Sequence, residues 1–557
     1  MKENWRRDLF AALSVSLVAL PLALGIAVAS GMSPMAGVLS AIIGGVVTTF
    51  FRGGHLAING PAAGLIAVIL GGLVALDNNI NYVLAAIVVS GGIQIVLGVF
   101  KMGRFAKLLP SSVLHGILAA IGVIIIAKQA PYALGTTSNA DTVIGNLMDI
   151  FYKIPEANPF VFIVALVGIL ILVLYKKNNN KFIRTIPAPM WVLLLSIPMV
   201  FGFDFFNEHS IYFLGNSYGV GPNLLIDIPE NPLDCIMHPD FAMIDTMAFW
   251  LTVLSITTIA SIETLASARA VDTLDPYKRS TNLNKDLVGV GISTMISGAL
   301  GGLPIITVIV RSTVNVNSDA QTKWSNLYHG IFLIIFVVIM APILRSVPLA
   351  ALAAILVHTG FKLASPHVFK HAYDQGAEQL FFLSSTLIIT LFTDLLYGIL
   401  GGILITLVSH ILLARVGFIS FFKMIYRSSS KVYRLENGSY DVKLKGICNF
   451  LYALKLDKLL QDIPIGSIVR VDMSKTRLVD LSIMDNVIEF KRVHDNNGGD
   501  VKLIGLDNHV ASSSHNRALK FVTGNVRKRI TQRQIRLQKM ANKNGWFFER
   551  DVDWNTS

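Results

Sequence analysis

Residues 9–51 contain no charged side chain. That stretch is longer than one helix needs to cross a bilayer, since a span takes about 20 apolar residues. It therefore reads as two spans, with a break near Gly31, Met32, Ser33 and Pro34. It is also far longer than the apolar core of a signal peptide, so the basic start MKENWRRD is not read as the head of a cleaved leader. The pattern recurs at roughly 56–76, 82–100, 108–127, 159–175 and 186–203. A second series follows near 246–265, 287–300, 303–311, 327–344, 347–361, 379–394 and 395–414. The expectation is an α-helical polytopic membrane protein of about fourteen segments, in two series of seven. Composition agrees: 53% of residues are hydrophobic and only 15% charged, against about 25% charged in soluble proteins. A soluble enzyme, a disordered chain and a fibrous protein are excluded on that ground.

Charge sets the expected orientation. The net charge of +12 is concentrated after residue 415, where 24 Lys and Arg face 14 Asp and Glu. This placement fits a cytoplasmic tail better than nucleic-acid binding by the whole chain, so no nucleic-acid partner is expected. Lys101, Arg104 and Lys107 share one loop, Lys176, Lys177, Lys181 and Arg184 another, and Arg269, Lys278, Arg279 and Lys285 a third. Residues 204–245 hold seven carboxylates and no Lys or Arg. The positive-inside rule then puts the basic loops and both termini in the cytoplasm, and the acidic loop outside. Cys235 and Cys448 fall on opposite sides and are not expected to pair.

Beyond about residue 430 the texture changes. YDVKLKGI, SIVRVDM and DVKLIGL read as strands, alternating with the helical stretches NFLYALKLDKLLQDI and LSIMDNVIEFKRVHD. Such alternation predicts a small α/β domain. The expected division is 1–415 for the transmembrane part, 416–434 a linker, 435–511 the α/β domain and 512–557 a basic tail. Seven Lys and Arg lie in that tail between Arg527 and Lys543 with no acid, a pattern open to contact with anionic membrane lipid or to plain solvation.

Two apolar segments are interrupted. One is AINGPAAGL at 57–65 and the other GGLPIIT at 301–307, each third in its series. Glycine lets the chain turn, and proline suits the first turn of a helix, where its missing N–H would be unpaired anyway. Paired interruptions point to two half-helices meeting at a substrate site, whose free N–H groups and positive dipole ends suit an anion. Gly60, Pro61, Ala62 and Ala63 on one side, with Pro304, Ile305, Ile306 and Thr307 on the other, are the candidate binding residues. The alternative is two kinked helices packed through small residues.

Glu263 lies on a segment otherwise uncharged from residue 247 to 262. Intramembrane acids are costly and usually face a cavity or a partner, so Glu263 is a candidate coupling residue, with Ser267 beside it. A structural ion pair is the other reading, since Arg269 is only about 9 Å further along a helix. Arg311 in VIVRSTVNVN either supplies positive charge to an anion site or snorkels to the interface. No Walker loop, zinc-ligand spacing or Ser/His/Asp arrangement is present, so no cofactor, metal or catalytic group is expected.

Taken together, the 57–65 and 301–307 motifs, SIETLASARAVD, GGLPIITVIVRSTVNVN and PLAALAAILVHTGFKL resemble the SulP family of sulfate permease-like anion transporters, which includes solute carrier family 26. The C-terminal region resembles the STAS domain of such carriers. The resemblance implies seven plus seven inverted segments, with a core domain moving against a gate domain. It also implies homodimers, and uptake or exchange of sulfate, bicarbonate, chloride or a similar anion; the expected setting is the bacterial inner membrane, with a proton as possible co-substrate. It places the anion between half-helices beginning at Ala62 and Ile305. Glu263 matches the family's acidic position on the eighth segment. Arg311 matches an arginine that sodium-coupled members replace by a small residue. The chain departs where many members carry P-Q on the first segment, reading Pro21 then Leu22. It departs again where Asp480 is followed by Leu481 before Ser482, which argues against phosphoregulation of the STAS-like domain. A nucleobase–cation symporter of the same fold, or a membrane anchor for the STAS-like domain, are the competing readings.

Overall fold

The computed structural model describes residues 4–522, except 138, 139, 141, 176, 178, 179, 181, 182, 184, 185, 214, 230–234, 278 and 437. The basic stretch expected from 527 to 543 lies outside the described residues. The chain divides into two compact units. One comprises Met1–Ala106, His115–Val368 and Ser384–Gly401, and the other Lys107–Leu114, Phe369–Leu383 and Gly402–Ser557.

The first series runs α1 (Trp5–Ala29), α2 (Pro34–Val46, followed by the single turn Thr48–Phe51), α3 (Ile66–Ala75), α4 (Ile80–Val99), α5 (Ser111–Ala133), then α6 (Val143–Lys153), α7 (Pro159–Tyr175) and α8 (Ala188–Gly202). The second runs α9 (Met247–Leu274), α10 (Leu283–Ala299), α11 (Ile309–Asn317), α12 (Trp324–Arg345), α13 (Leu349–Leu363), then α14 (Pro366–Gln375), α15 (Ala377–Phe392) and α16 (Leu395–Ala414). Among the described residues eight helices are long and apolar enough to cross a membrane, and α6 and α7 form a bent pair at 120°. The amphipathic α6 and α14 are the additions that an apolar scan passes over. The break at Gly31 is real: its φ of 71° ends α1 in the left-handed region, which glycine enters without a Cβ penalty.

Between apolar helices in lipid, burial of apolar surface drives little, and small residues that admit close backbone approach do the packing. The α4–α10 contact illustrates this. A Cβ on Gly91 would lie 2.7 Å from the Gly291 carbonyl, and one on Gly291 2.7 Å from the Gly91 carbonyl. The acidic stretch after α8 folds partly as a hairpin, β2 (His209–Phe213) against β3 (Asn216–Val220).

In the other unit, α17 (Phe418–Tyr426) leads into a six-stranded sheet. Its strands are β5 (Lys431–Arg434), β6 (Tyr440–Cys448), β7 (Ile468–Val479), β8 (Asp500–Ile504), β9 (Val510–Ala511) and β10 (Lys520–Phe521). Strands β6, β7 and β8 are mutually parallel, while β5 and β10 add antiparallel. The crossovers are helices α18 (Ala453–Gln461) and α19 (Leu481–Asn496), as parallel strands require. The sheet thus extends beyond the 435–511 span at both ends. Asp480 caps α19, its two carboxylate oxygens accepting from the backbone N–H groups of Ile483 (2.8 Å) and Phe450 (2.6 Å). Burial pushes this carboxyl up to about 7. Ser482 is buried in the first turn that Asp480 caps.

Candidate functional site

The two interrupted segments meet as a short antiparallel ladder. Strand β1 (Asn59–Gly60) pairs with β4 (Ile306–Thr307), Asn59 opposite Thr307 and Gly60 opposite Ile306. The ladder is extended by the Val308 N–H, which donates to the Ile58 carbonyl at 2.8 Å. The Ile58 N–H in turn donates to the Ser312 hydroxyl oxygen at 2.8 Å.

This pairing decides where each half-helix starts. Ala62 is extended and caps a 3-10 turn, Ala63–Leu65, that continues into α3. On the other side Ile306 and Thr307 form a strand, Pro304 and Ile305 precede it without helical structure, and α11 begins only at Ile309 with Val308 as its cap. The expected start at Ile305 is therefore four residues too early. Backbone groups committed to a strand cannot also close a helical turn. The Thr294 hydroxyl, bonded at 3.1 Å to both the N–H and the carbonyl of Ile305, pins the chain in that state. Pro61 and Pro304 likewise sit ahead of the helices rather than in their first turns. The two helices still direct their N-terminal ends, with N–H groups lacking an intrahelical acceptor, from the ladder.

Arg311 projects from the first turn of α11 and is 0% exposed. All three guanidinium nitrogens are without a hydrogen-bond partner among the described residues. Nη1 lies against Gly60, where an added Cβ would stand 2.5 Å from it. The side chain thus turns inward across the ladder, which is not the path of a snorkelling arginine. Glu263 reaches the other end of the same five-residue turn from α9. A Cβ added at Gly64 would overlap its carboxyl group, and Oε2 is buried without a partner among the described residues. A positive and a negative group thus flank residues 60–64 without forming an ion pair with each other. Ser267 is buried one helical turn beyond Glu263, and among the described residues no hydrogen bond ties it to either half-helix.

A buried polar network holds the ladder, and most of it escapes a sequence reading. Asn59 Nδ2 donates to the Thr307 hydroxyl at 3.0 Å, and that hydroxyl donates to Asp286 Oδ2 at 2.9 Å. Asp286 is 0% exposed, and its other oxygen accepts from the Gly53 and Gly54 N–H groups, both at 3.3 Å. Asn326 Oδ1 accepts from the Asn59 N–H at 3.1 Å, while its Nδ2 donates to the Gly44 carbonyl at 3.0 Å. His329, on the same helix α12, is 0% exposed. Its Nδ1 lies 2.9 Å from Ser16 Oγ on α1, and its Nε2 is without a partner among the described residues. The signal available for Asp286 was its position at the mouth of a segment with no further charge until Arg311.

The geometry defines a polytopic membrane protein whose two helical series meet at a pair of broken helices, an arrangement used by secondary carriers. The chain belongs to the sulfate permease family, which matches residues 5–386, and it is an integral membrane protein. The YvdB protein of Bacillus subtilis (strain 168) is 26% identical over 411 residues, covering 73% of this chain and 74% of its own. The bicarbonate transporter BicA of Picosynechococcus is 25% identical over 409 residues, covering 72% of this chain and 69% of its own. The solved structure of SLC26A9 superposes with a TM-score of 0.64 at 15% identity, covering 93% of this chain and 86% of that one. The last likeness extends the shared fold through the C-terminal α/β region.

Proposed function

We propose that this chain is a secondary carrier of a small inorganic anion of the sulfate, bicarbonate or chloride class, working by alternating access. The family and the names of its relatives support the substrate class. The observation that carries the reading is Arg311: a fully buried cation with no partner among the described residues, set against the opposing strand at Gly60. An uncompensated buried charge is expensive, and an anion between the N-terminal ends of α3 and α11 would neutralise it. Gly60, Pro61, Ala62 and Ala63 then shape one wall, and Ile306, Thr307 and Arg311 the other, with Pro304 and Ile305 supporting it from behind. Glu263, with Ser267 a turn away, is the coupling group, taking a proton in symport or standing neutral in exchange. The carrier works as a homodimer in the bacterial inner membrane with both termini in the cytoplasm. Residues 1–415 are its transport domain, 416–434 a linker, 435–511 the body of a STAS-like domain and 512–557 a basic tail.

The test is uptake of labelled sulfate, bicarbonate and chloride by proteoliposomes. A hydrogen bond to a charged group contributes about 1.5–3 kcal/mol, so Arg311→Ala should weaken apparent affinity roughly ten- to a hundredfold. Arg311→Lys should restore only part of it, because lysine lacks the planar fork. Unchanged affinity in the alanine variant sinks the assignment.

A further inference from the structure

A second cationic site lies in the membrane unit, away from the ladder. The turn Thr48–Phe51, the end of α4, the start of α10 and the start of α12 surround a cavity of about 610 Å³. Four cations line it: Arg52, Lys101, Lys285 and Lys323. No carboxylate is among the lining residues. The two series of helices contribute two cations each, so the basic loops after α4 and before α10 converge on one end of the bundle.

Four carboxylates of this neighbourhood are engaged by other groups, although the charge of Asp286 also acts on Arg52. Asp319 pairs with Arg7 at 3.3 Å and Asp275 with Arg279 at 2.7 Å. Asp272 accepts from the Thr281 N–H at 2.8 Å. Asp286 is taken by Thr307 and by the Gly53 and Gly54 backbone. Among the described residues, no salt bridge engages Lys101, Lys285 or Lys323. Arg52 is buried, and only its Nη1 is used, donating to the Ala57 carbonyl at 2.5 Å; Nε and Nη2 are buried without a partner among the described residues.

The site is also built at some conformational cost. Lys101 has φ 57°, in the left-handed region where a helix usually ends on glycine or asparagine. A lysine held there fits a requirement for charge at that position. The walls are rigid, because a Cβ on Gly98 would stand 2.7 Å from the Asn284 carbonyl. The rim has the composition of a membrane interface. Phe50 is 57% exposed and packs edge-on to Trp324 at 6.1 Å, while Lys323 Nζ stands 5.8 Å from the Trp324 ring centre. Val99, which lines the cavity, and Phe100, next to it in the chain, are exposed. Cations beside exposed apolar side chains match a ligand with an anionic head and hydrocarbon tails.

We propose that this cavity binds the phosphodiester headgroup of an anionic phospholipid, with its acyl chains along Phe50, Val99 and Phe100. The chemistry recognised is a phosphate oxyanion, and the tails distinguish a lipid from a free phosphate. The site is independent of the anion site at the ladder, so failure of either leaves the other standing.

The experiment is thermal unfolding of the purified full-length chain in a zwitterionic detergent. It is titrated with phosphatidylglycerol, with phosphatidylcholine, or with inorganic phosphate. Binding to the folded state raises the midpoint by mass action. Phosphatidylglycerol should raise it saturably and phosphatidylcholine should not. Each interfacial cation contributes to anionic-lipid attraction, so the combined variant Lys101→Gln, Lys285→Gln, Lys323→Gln should need at least roughly tenfold more phosphatidylglycerol for the same shift. The corresponding three Lys→Arg changes should titrate close to wild type. If the combined variant is not monodisperse, the three single Lys→Gln variants carry the same test, each moving the titration in the same direction. A Gln variant that titrates as wild type, or equal shifts from both lipids, overturns the proposal. A shift by inorganic phosphate that the lysine changes abolish, with none from phosphatidylglycerol, also overturns it, in favour of a soluble phosphate compound.

Discussion

The two halves of the ladder are related by position in their series but not by chemistry. The first, residues 59–66, is built around the small residues 60–64 and carries no charge of its own. The second, residues 303–308, is a longer non-helical stretch leading into α11 and held by side chains of its neighbours. The Leu303 N–H donates to Ser40 Oγ at 2.6 Å, the Ser297 hydroxyl donates to the Leu303 carbonyl at 2.6 Å, and Thr294 grips Ile305. Both charges that flank residues 60–64 come from the second series, Glu263 on α9 and Arg311 on α11. One repeat therefore contributes shape, through backbone left bare by glycine, and the other contributes charge. An inverted repeat specifies a symmetric frame, and function then needs only one half to diverge.

The sharpest way to break that comparison is to add a methyl group to the shaped half. At Gly64 an added Cβ overlaps the Glu263 carboxyl group, flanked by the 3-10 turn and α9. At Gly60 it meets Arg311 Nη1, the far end of a long side chain that can give way. Misplacing a reacting or binding group by about 1 Å can cost roughly a hundredfold. Gly64→Ala should therefore lower uptake by about that factor, and Gly60→Ala by roughly tenfold, as Arg311 retains other rotamers. The check is transport rate per folded protein, with monodispersity measured in parallel. Equal losses at both glycines would mean that the turn itself, rather than its two charged neighbours, is what matters.

A smaller effect separates the two charges by role. If Glu263 couples and Arg311 binds, Glu263→Gln should remove the pH dependence of gradient-driven uptake, lowering it roughly tenfold at its optimum, while counterflow exchange continues. Arg311→Ala should depress both assays together. Counterflow and gradient-driven uptake that both keep wild-type rates and pH profiles in Glu263→Gln would assign Glu263 to structure.

How much of this was legible in the sequence depended on how far apart the partners lie. The helical segments were readable because apolar length is a local property. So were the strands β6, β7 and β8, because each is bounded by a change of period within a dozen residues. Broken helices at 57–65 and 301–307 announced themselves through Gly-Pro and Gly-Gly-Leu-Pro. The ladder that joins them did not. Its strands are two residues long and their partners are about 250 positions away, so no window contains both. That pairing is also why the start of α11 was misplaced, since Pro304 looks locally like the first turn of a helix. Asn59, Asn326, Ser16 and His329 were missed for the same reason. Each is an ordinary polar residue on an apolar segment until its distant partner is known. Asp286 was passed over because it follows Lys285 and looks like part of a basic loop, yet it is the buried carboxylate that orients Thr307.

The finest distinction is between a residue that joins the two halves and one that serves only the second. Thr307→Val is close to isosteric, and it removes both the donor to Asp286 and the acceptor for Asn59 Nδ2. Leaving a buried amide hydrogen and a buried carboxylate oxygen unmatched should cost about 1–3 kcal/mol of stability. Thr294→Val removes two bonds to Ile305 in the second half alone, and a cost of similar or smaller size is expected. The two differ in their coupling to the first half. Combined with Asn59→Ala, Thr307→Val should show an interaction energy above about 0.5 kcal/mol, because the pair shares one hydrogen bond. Thr294→Val should add to Asn59→Ala within about 0.5 kcal/mol, as sites without shared partners do. Thermal unfolding of the three single and two double variants, each against wild type, measures both cycles. Strong coupling of Thr294 to Asn59 would mean that the second half is not held independently, and the division of labour between the repeats would fail at its smallest scale.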